Sequence, residues 1–290
     1  ATPSPNDFIE LGTSSEALGY MGYMDMLSKF FTNNEDTIKP QNIGTKWILK
    51  GHARNDFFDW VSTWSISMRK PSDLGFDDSN HKLPELITNY HSVKNKKNLV
   101  VNGQIQMFNQ IAKTLPEIKQ EQKSTINDRC ETAVSLSSNH ETSVYWVNFN
   151  YEADLIQEID KNSYQIKGSM KLDKKEELLL SFANGDIKKL ITKPKITAFG
   201  LNWQHCNHTT YFPTFSYEQY YQAIRRFWRF GQTKNVVCDL VYSDGQKRVI
   251  DSLLAKTKKA NELFHKLNNS INEYKEVKKE FNKNIILPKF

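Results

Sequence analysis

The stretch QAIRRFWRFGQ, Gln222 to Gln232, sets Arg225, Arg226 and Arg229 within five positions and ends in Gly231-Gln232. Ser216 followed three residues later by Gln219 is a capping-box pattern, so a helix is predicted to start there. Gly231 is suited to end it. Tyr220, Ile224 and Phe227 would face a sheet, with the arginines late in the helix on a rigid support. Arginines three and four residues apart share a helical face. Their forked guanidinium groups keep their charge and match phosphate oxygens. On charge patterning alone, a solvated basic face accounts for the cluster at least as well.

The text around the cluster alternates strands and helices. SVYWVNF (Ser143 to Phe149), SYQIKG (Ser163 to Gly168), KKLITK (Lys188 to Lys193), TTYF (Thr209 to Phe212) and VVCDLVY (Val236 to Tyr242) read as strands. Tyr151 to Ile159 and Asp173 to Ala183 read as helices, the second stopped by Asn184-Gly185, and a long loop joins Lys193 to His208. This pattern predicts an α/β fold with a parallel sheet covered by helices on both faces. Ligands of such sheets bind at the carboxyl ends of the strands.

The first half is less regular. A helix is expected over Tyr23 to Phe31 and a strongly amphipathic one over Asn55 to Met68, where Phe57, Trp60, Val61, Trp64 and Met68 recur at helical spacing. Trp60 and Trp64 are read as core rather than as base-stacking groups. A strand is expected at Leu86 to Val93, then a polar helix from Leu99 to Lys123 interrupted at Pro116, then a helix around Thr125 to Leu136. The boundaries drawn are residues 1–92, 93–245 and 246–290, the last a helical tail with an apolar stripe through Leu267, Ile271 and Tyr274. That stripe fits a helix packing back on the body or on a partner lobe.

With 39 Lys and Arg against 33 Asp and Glu, the net charge is +6, which favours a polyanionic partner. The cysteines Cys130, Cys206 and Cys238 are too sparse for a disulfide framework and fit a reducing cytoplasm. No apolar run approaches the roughly 20 residues of a membrane span, so no membrane partner is expected. His205, Cys206 and His208 lack the spacing of a zinc site, and no metal is assigned to them. No Ser/His/Asp constellation is visible. The chain opens on Ala1-Thr2-Pro3 and reads as a piece of a longer polypeptide.

AFGLN (Ala198 to Asn202) followed by QAIRRFWRFGQ resembles motifs V and VI of the second motor lobe of superfamily-two helicases. The resemblance points most to the Swi/Snf-type translocases and related phage helicases, a branch allied to the DEAD/DEAH proteins. Gln222, Arg226, Arg229, Gly231 and Gln232 fit motif VI; Arg225 stands where glycine is common, and only Gly200 matches the double glycine of motif V. Ala1-Thr2-Pro3 resembles the end of motif III, Val144 to Phe149 falls at motif IV, and Met68-Arg69 with Leu83-Pro84 is similar to the segment leading to the second lobe.

The resemblance implies a RecA-like fold of the P-loop NTPase type. The mostly helical end of a first lobe would precede it, and a long C-terminal helix would follow. It implies the C-terminal part of an ATP-dependent DNA helicase or translocase, with RNA also possible as substrate, in a bacterial or phage-infected cytoplasm. It makes Arg229 and Arg226 catalytic toward the γ-phosphate, with Gln222 orienting them. Gly200, Asn202, Gly231 and Gln232 would bind ATP, Thr2 would couple the lobes, and Lys167, Gly168, Lys193, Lys195 and Trp203 would contact nucleic acid. No G-x-x-x-x-G-K-[ST] loop occurs in the chain. The Walker A and B elements, the D-E-x-H box and the Mg²⁺ ligands are therefore expected on a missing or separately encoded N-terminal lobe. Alone, the chain is expected to lack ATPase activity. The other reading is a non-catalytic nucleic-acid-binding or regulatory module that acts with that lobe.

Overall fold

The computed structural model describes residues 7–34, 47–66, 68, 70–74, 76–95, 100–101, 104–105, 115–197 and 201–283. Thr2 and Gly200 lie outside them, as does Ala198-Phe199-Gly200 as a whole. The chain divides into two compact units, one of Ala1–His81 with Leu254–Phe290 and the other of Lys82–Leu253. In chain order the elements are α1 (Leu11–Ala17), α2 (Tyr23–Phe30), β1 (Phe31–Asn33), β2 (Trp47–Leu49), α3 (Arg54–Trp64), β3 (Leu86–Val93), β4 (Val100–Val101), β5 (Gln104–Ile105), α4 (Leu115–Ser124) and α5 (Ile126–Ser138). There follow β6 (Ser143–Trp146), α6 (Asn150–Ile159), β7 (Ser163–Gln165), α7 (Leu172–Asn184), β8 (Lys189–Thr192), α8 (Pro194–Thr197), β9 (His208–Tyr211), α9 (Tyr217–Ile224), β10 (Val236–Ser243) and α10 (Lys247–Lys283).

The larger unit is built on a six-stranded sheet in the order β3-β10-β9-β6-β8-β7, every neighbouring pair parallel. Successive residues of β6 enter opposite cores, because side chains alternate across a strand. Val144 and Trp146 pack with Leu178 and Phe182 of α7 and Ala223 and Ile224 of α9. Tyr145 and Val147 pack with Cys130 and Ala133 of α5 and Ala153 and Ile156 of α6. Both faces are thus covered, as a parallel sheet requires, and the fold is the RecA-like α/β arrangement expected. α7 stops where Gly185 takes φ of 85° and Asp186 N donates to Ser181 O at 2.9 Å.

Three elements depart from the expectations. β3 pairs with β10 along its whole length, Leu86 opposite Val236 through Val93 opposite Ser243, although the boundary was drawn just after it. Local sequence cannot reveal a partner 150 residues away. The helix expected from Leu99 is replaced first by the antiparallel pair β4–β5, with Val100 opposite Ile105. The described part of the helix is α4, Leu115–Ser124, with Pro116 in its first turn; residues 106–114 of the expected helix lie outside the described residues.

In the smaller unit, Phe57, Phe58 and Val61 of α3 pack with Met26, Leu27 and Phe30 of α2 and with Leu11. Trp60 stacks on Phe30 with centroids 5.3 Å apart, so the aromatic stripe of α3 is core. α3 ends at Trp64, and Met68 lies beyond it, exposed. The residues of α10 from Leu254 onward belong to this unit, where Leu267 joins the same core and Glu262 pairs with Arg54 at 3.1 Å. Among the described residues, no helix is long and apolar enough to cross a membrane.

Candidate functional site

Helix α9 starts as its capping signal requires, the Ser216 hydroxyl accepting from Gln219 N at 3.3 Å. It ends earlier than expected, at Ile224, with Arg225 as its C-cap. Residues 225–231 run as turns, so the three arginines are not on one helical face. The cause is tertiary: Trp203 N donates to Arg226 O at 3.0 Å, which claims a carbonyl that a continuing helix would need. The Arg226 guanidinium also donates to Leu201 O. Gly231 closes the turn with φ of 92°, in the region glycine enters freely.

This turn brings together several residues that the sequence marked. Arg229 donates to the side chain of Asn202, while Arg226 is 6% exposed beside it. Burial and then the Arg229 charge lower the Arg226 guanidinium to about 10, which keeps it cationic at neutral pH. Arg229 Nε is buried without a partner among the described residues. A buried unsatisfied donor next to a second guanidinium is an arrangement that an anion would complete. The residues therefore fit a phosphate group.

Gln222 sits half-buried four residues before Arg226 on α9. Gln232 serves the chain itself: Nε2 donates to Gln204 O at 2.9 Å and Cys206 O at 3.2 Å, while Oε1 accepts from Thr233 N and Lys234 N. Arg225 lies over the rings of Tyr221 and Trp228, at 5.2 and 4.6 Å, and so is a packing group. Trp228 in turn donates to Pro84 O at 2.7 Å. The partners of the turn, Pro84 and residues 201–206, precede β3 and β9, and the turn itself precedes β10. The arginines therefore lie toward the amino ends of these strands, opposite the edge expected for a ligand.

The nucleic-acid candidates fall at the other edge, with one exception. Lys167 and Gly168 follow β7, and Lys193 follows β8. Lys167 pairs with Asp154 at 2.9 Å, and Gly168 O accepts from Lys175. Lys193 donates to the Asn150 side chain at 2.7 Å, a neutral partner. Lys195 is exposed on α8. Trp203 is corrected: it is 0% exposed, enclosed by Trp146, Phe182 and Phe227, and cannot stack on a base.

The sequence missed two arrangements. Arg129 of α5 and Glu152 of α6 form an ion pair at 3.0 Å with both side chains 0% exposed. The other Glu152 oxygen accepts from Asn148 N and Phe149 N, fixing the loop after β6. Separately, Ser143 Oγ meets His208 Nδ1 at 2.8 Å and His208 Nε2 meets Asp239 Oδ2 at 2.9 Å. The sequence does not reveal this Ser–His–Asp order, because each residue comes from a different strand. Ser143 and His208 are 0% exposed, so no substrate reaches the hydroxyl and the chain of bonds braces the sheet. Burial alone would raise the Asp239 carboxyl, but hydrogen bonds from His208, Asn89 and His91 outweigh it and hold it well below the usual range. Cys130, Cys206 and Cys238 are all buried, and burial pushes the Cys130 and Cys206 thiols up to about 12.

Comparison with known proteins places residues 123–231 as a match to the helicase conserved C-terminal domain. The matched segment contains α5 through Gly231 and so includes both arginines. No curated protein matches the chain. Among solved structures, the C-terminal part of the Fun30 ATPase domain is similar at 18% identity and a TM-score of 0.39, over 52% of this chain and 55% of that one. S. cerevisiae Dbp5 bound to RNA and ADP BeF3 is similar at 15% identity and a TM-score of 0.41, over 64% of this chain and 45% of that one. S. cerevisiae Dbp5 bound to Gle1 and IP6 is similar at 14% identity and 0.41, over 59% and 39%. The chain thus spans about half or less of each.

Proposed function

We propose that this chain is the C-terminal part of an ATP-dependent DNA helicase or translocase of the Swi/Snf-like branch, acting in a bacterial or phage-infected cytoplasm. Its role there is to supply the arginine wall of an ATP site and part of a nucleic-acid track. The observation that carries the reading is the Arg226–Arg229 turn, held against Leu201 and Asn202 inside a segment that matches a helicase C-terminal domain. Phosphoryl transfer needs charge neutralised on the γ-phosphate oxygens, and an arginine there contributes roughly 10³ to 10⁵ in rate. Arg229, with its orphaned Nε, would make that contact, with Arg226 as its buried neighbour. ATP and Mg²⁺ would be gripped by an N-terminal lobe carrying the phosphate loop and D-E-x-H box, with Thr2 coupling the lobes and Gly200, Asn202, Gly231 and Gln232 on the ATP side of this one. Lys167, Gly168, Lys193 and Lys195 would follow the nucleic-acid backbone at the opposite edge of the sheet, which separates the two ligands.

ATPase assays test this directly. The chain alone should show no turnover, and adding the lobe that carries the phosphate loop should create nucleic-acid-stimulated hydrolysis. Turnover by the chain alone would overturn the divided site. Nucleic-acid binding without any hydrolysis in the presence of that lobe would favour a regulatory module instead.

A further inference from the structure

Trp203 is buried on the arginine side of the sheet, and the basic candidates at the carboxyl ends of the strands have two other aromatic residues beside them, Phe149 and Tyr151. They flank Asn150 at the start of α6, immediately after the central strand β6. Their rings are parallel, 7° apart in plane with centroids 5.0 Å apart, and both are half-buried, so part of the stacked pair stays open to solvent. The pair is rigidly mounted. Glu152 accepts from Phe149 N at 3.0 Å and is itself held by the buried Arg129, while Asn148 donates to Phe212 O at 3.1 Å. Lys193 reaches the same turn, with Nζ 2.7 Å from the Asn150 side chain. Lys167 is tethered to Asp154 of α6 one turn further on.

We infer that Phe149 and Tyr151 form a base-stacking platform for single-stranded nucleic acid, with Lys193 beside it for a flanking phosphate. Aromatic rings set in a cationic groove take any base, because every base has a π-face, whereas phosphate contacts alone are blind to whether a base is present. The inference rests on the nucleic-acid reading above but adds a contact of a different kind, to bases rather than to backbone. A rigid pair is also suited to it, since little side-chain freedom remains to be lost on binding.

The test compares binding of the whole chain to a single-stranded thymidine oligonucleotide and to the same backbone carrying abasic sites. One stacked base should make the first tighter by about 5- to 150-fold. Phe149→Leu with Tyr151→Leu should erase that preference while leaving the salt dependence of binding unchanged. Phe149→Trp should retain the preference, which separates stacking from a merely structural role. Equal binding of both oligonucleotides by the unaltered chain, or a preference that survives the double substitution, would overturn the platform. Failure to bind either oligonucleotide would instead overturn the nucleic-acid reading itself and the platform with it.

Discussion

Replacing Glu152 with glutamine tests the framework that positions the loop after β6. Glu152 satisfies three donors at once: Arg129 Nη1 at 3.0 Å, Asn148 N at 2.9 Å and Phe149 N at 3.0 Å. Arg129 is further fixed by Gln122 O at 2.6 Å and by the Phe212 ring at 4.8 Å, so its guanidinium cannot swing out to water without unpacking α5. Glutamine preserves shape and one acceptor oxygen but removes the ionic partner of Arg129 in a site with no solvent exposure. Removing one partner of a buried pair costs about 3–5 kcal/mol, because the remaining charge stays desolvated. That is a large share of the roughly 5–15 kcal/mol that holds a domain together. For a unit of this size each kcal/mol moves Tm by about 2–4 °C, so a drop of about 6–20 °C is expected. Thermal unfolding of the whole chain, followed by circular dichroism, measures the Tm, and urea unfolding the free energy. Arg129→Met combined with Glu152→Gln should lose less than the sum of the single changes, since the two residues interact directly. A loss under about 1 kcal/mol in Glu152→Gln would refute the idea that this pair organises the edge of the sheet.

Trp203→Ala should destabilise the chain by about 3–5 kcal/mol through the cavity left among Trp146, Phe182 and Phe227, with no change in the nucleic-acid affinity of the folded protein. Gly231→Ala forces a side chain onto φ of 92° and should cost about 1–3 kcal/mol in denaturant unfolding. The Asp239 carboxyl is lowered from 3.8 in the folded chain, so the unfolded chain binds its proton first as pH falls. Its contribution to stability is therefore full above 3.8 and is lost progressively below it. Melting temperature measured across the acid range should fall more steeply for the unaltered chain than for Asp239→Asn, which starts from a lower neutral value.

Much of this architecture is legible in sequence. The alternation of apolar runs with capped helices locates β6 to β10, and Gly185 and Ser216 mark where α7 ends and α9 begins through purely local chemistry. What is not legible depends on distant partners. β3 carries no sign that its neighbour is β10, 150 residues later, and Ser143, His208 and Asp239 meet only because parallel strands set them side by side. The arginine turn shows the same limit more sharply. Spacing assigns Arg225, Arg226 and Arg229 to one helical face, yet a backbone bond from Trp203 and the reach of Arg226 to Leu201 unwind the helix at Ile224. Trp203 shows the same limit, since a tryptophan in a loop gives no local clue to the aromatic cluster that buries it.

The central claim is that Arg229 completes an ATP site whose other wall belongs to a second lobe. Its most direct test is the ATPase rate of the complete two-lobed protein carrying Arg229→Ala, alongside its melting temperature. The expected result is a fall in turnover of roughly 10³ to 10⁵, equivalent to about 4–7 kcal/mol of barrier, with the fold intact. Turnover close to that of the unaltered protein would contradict it.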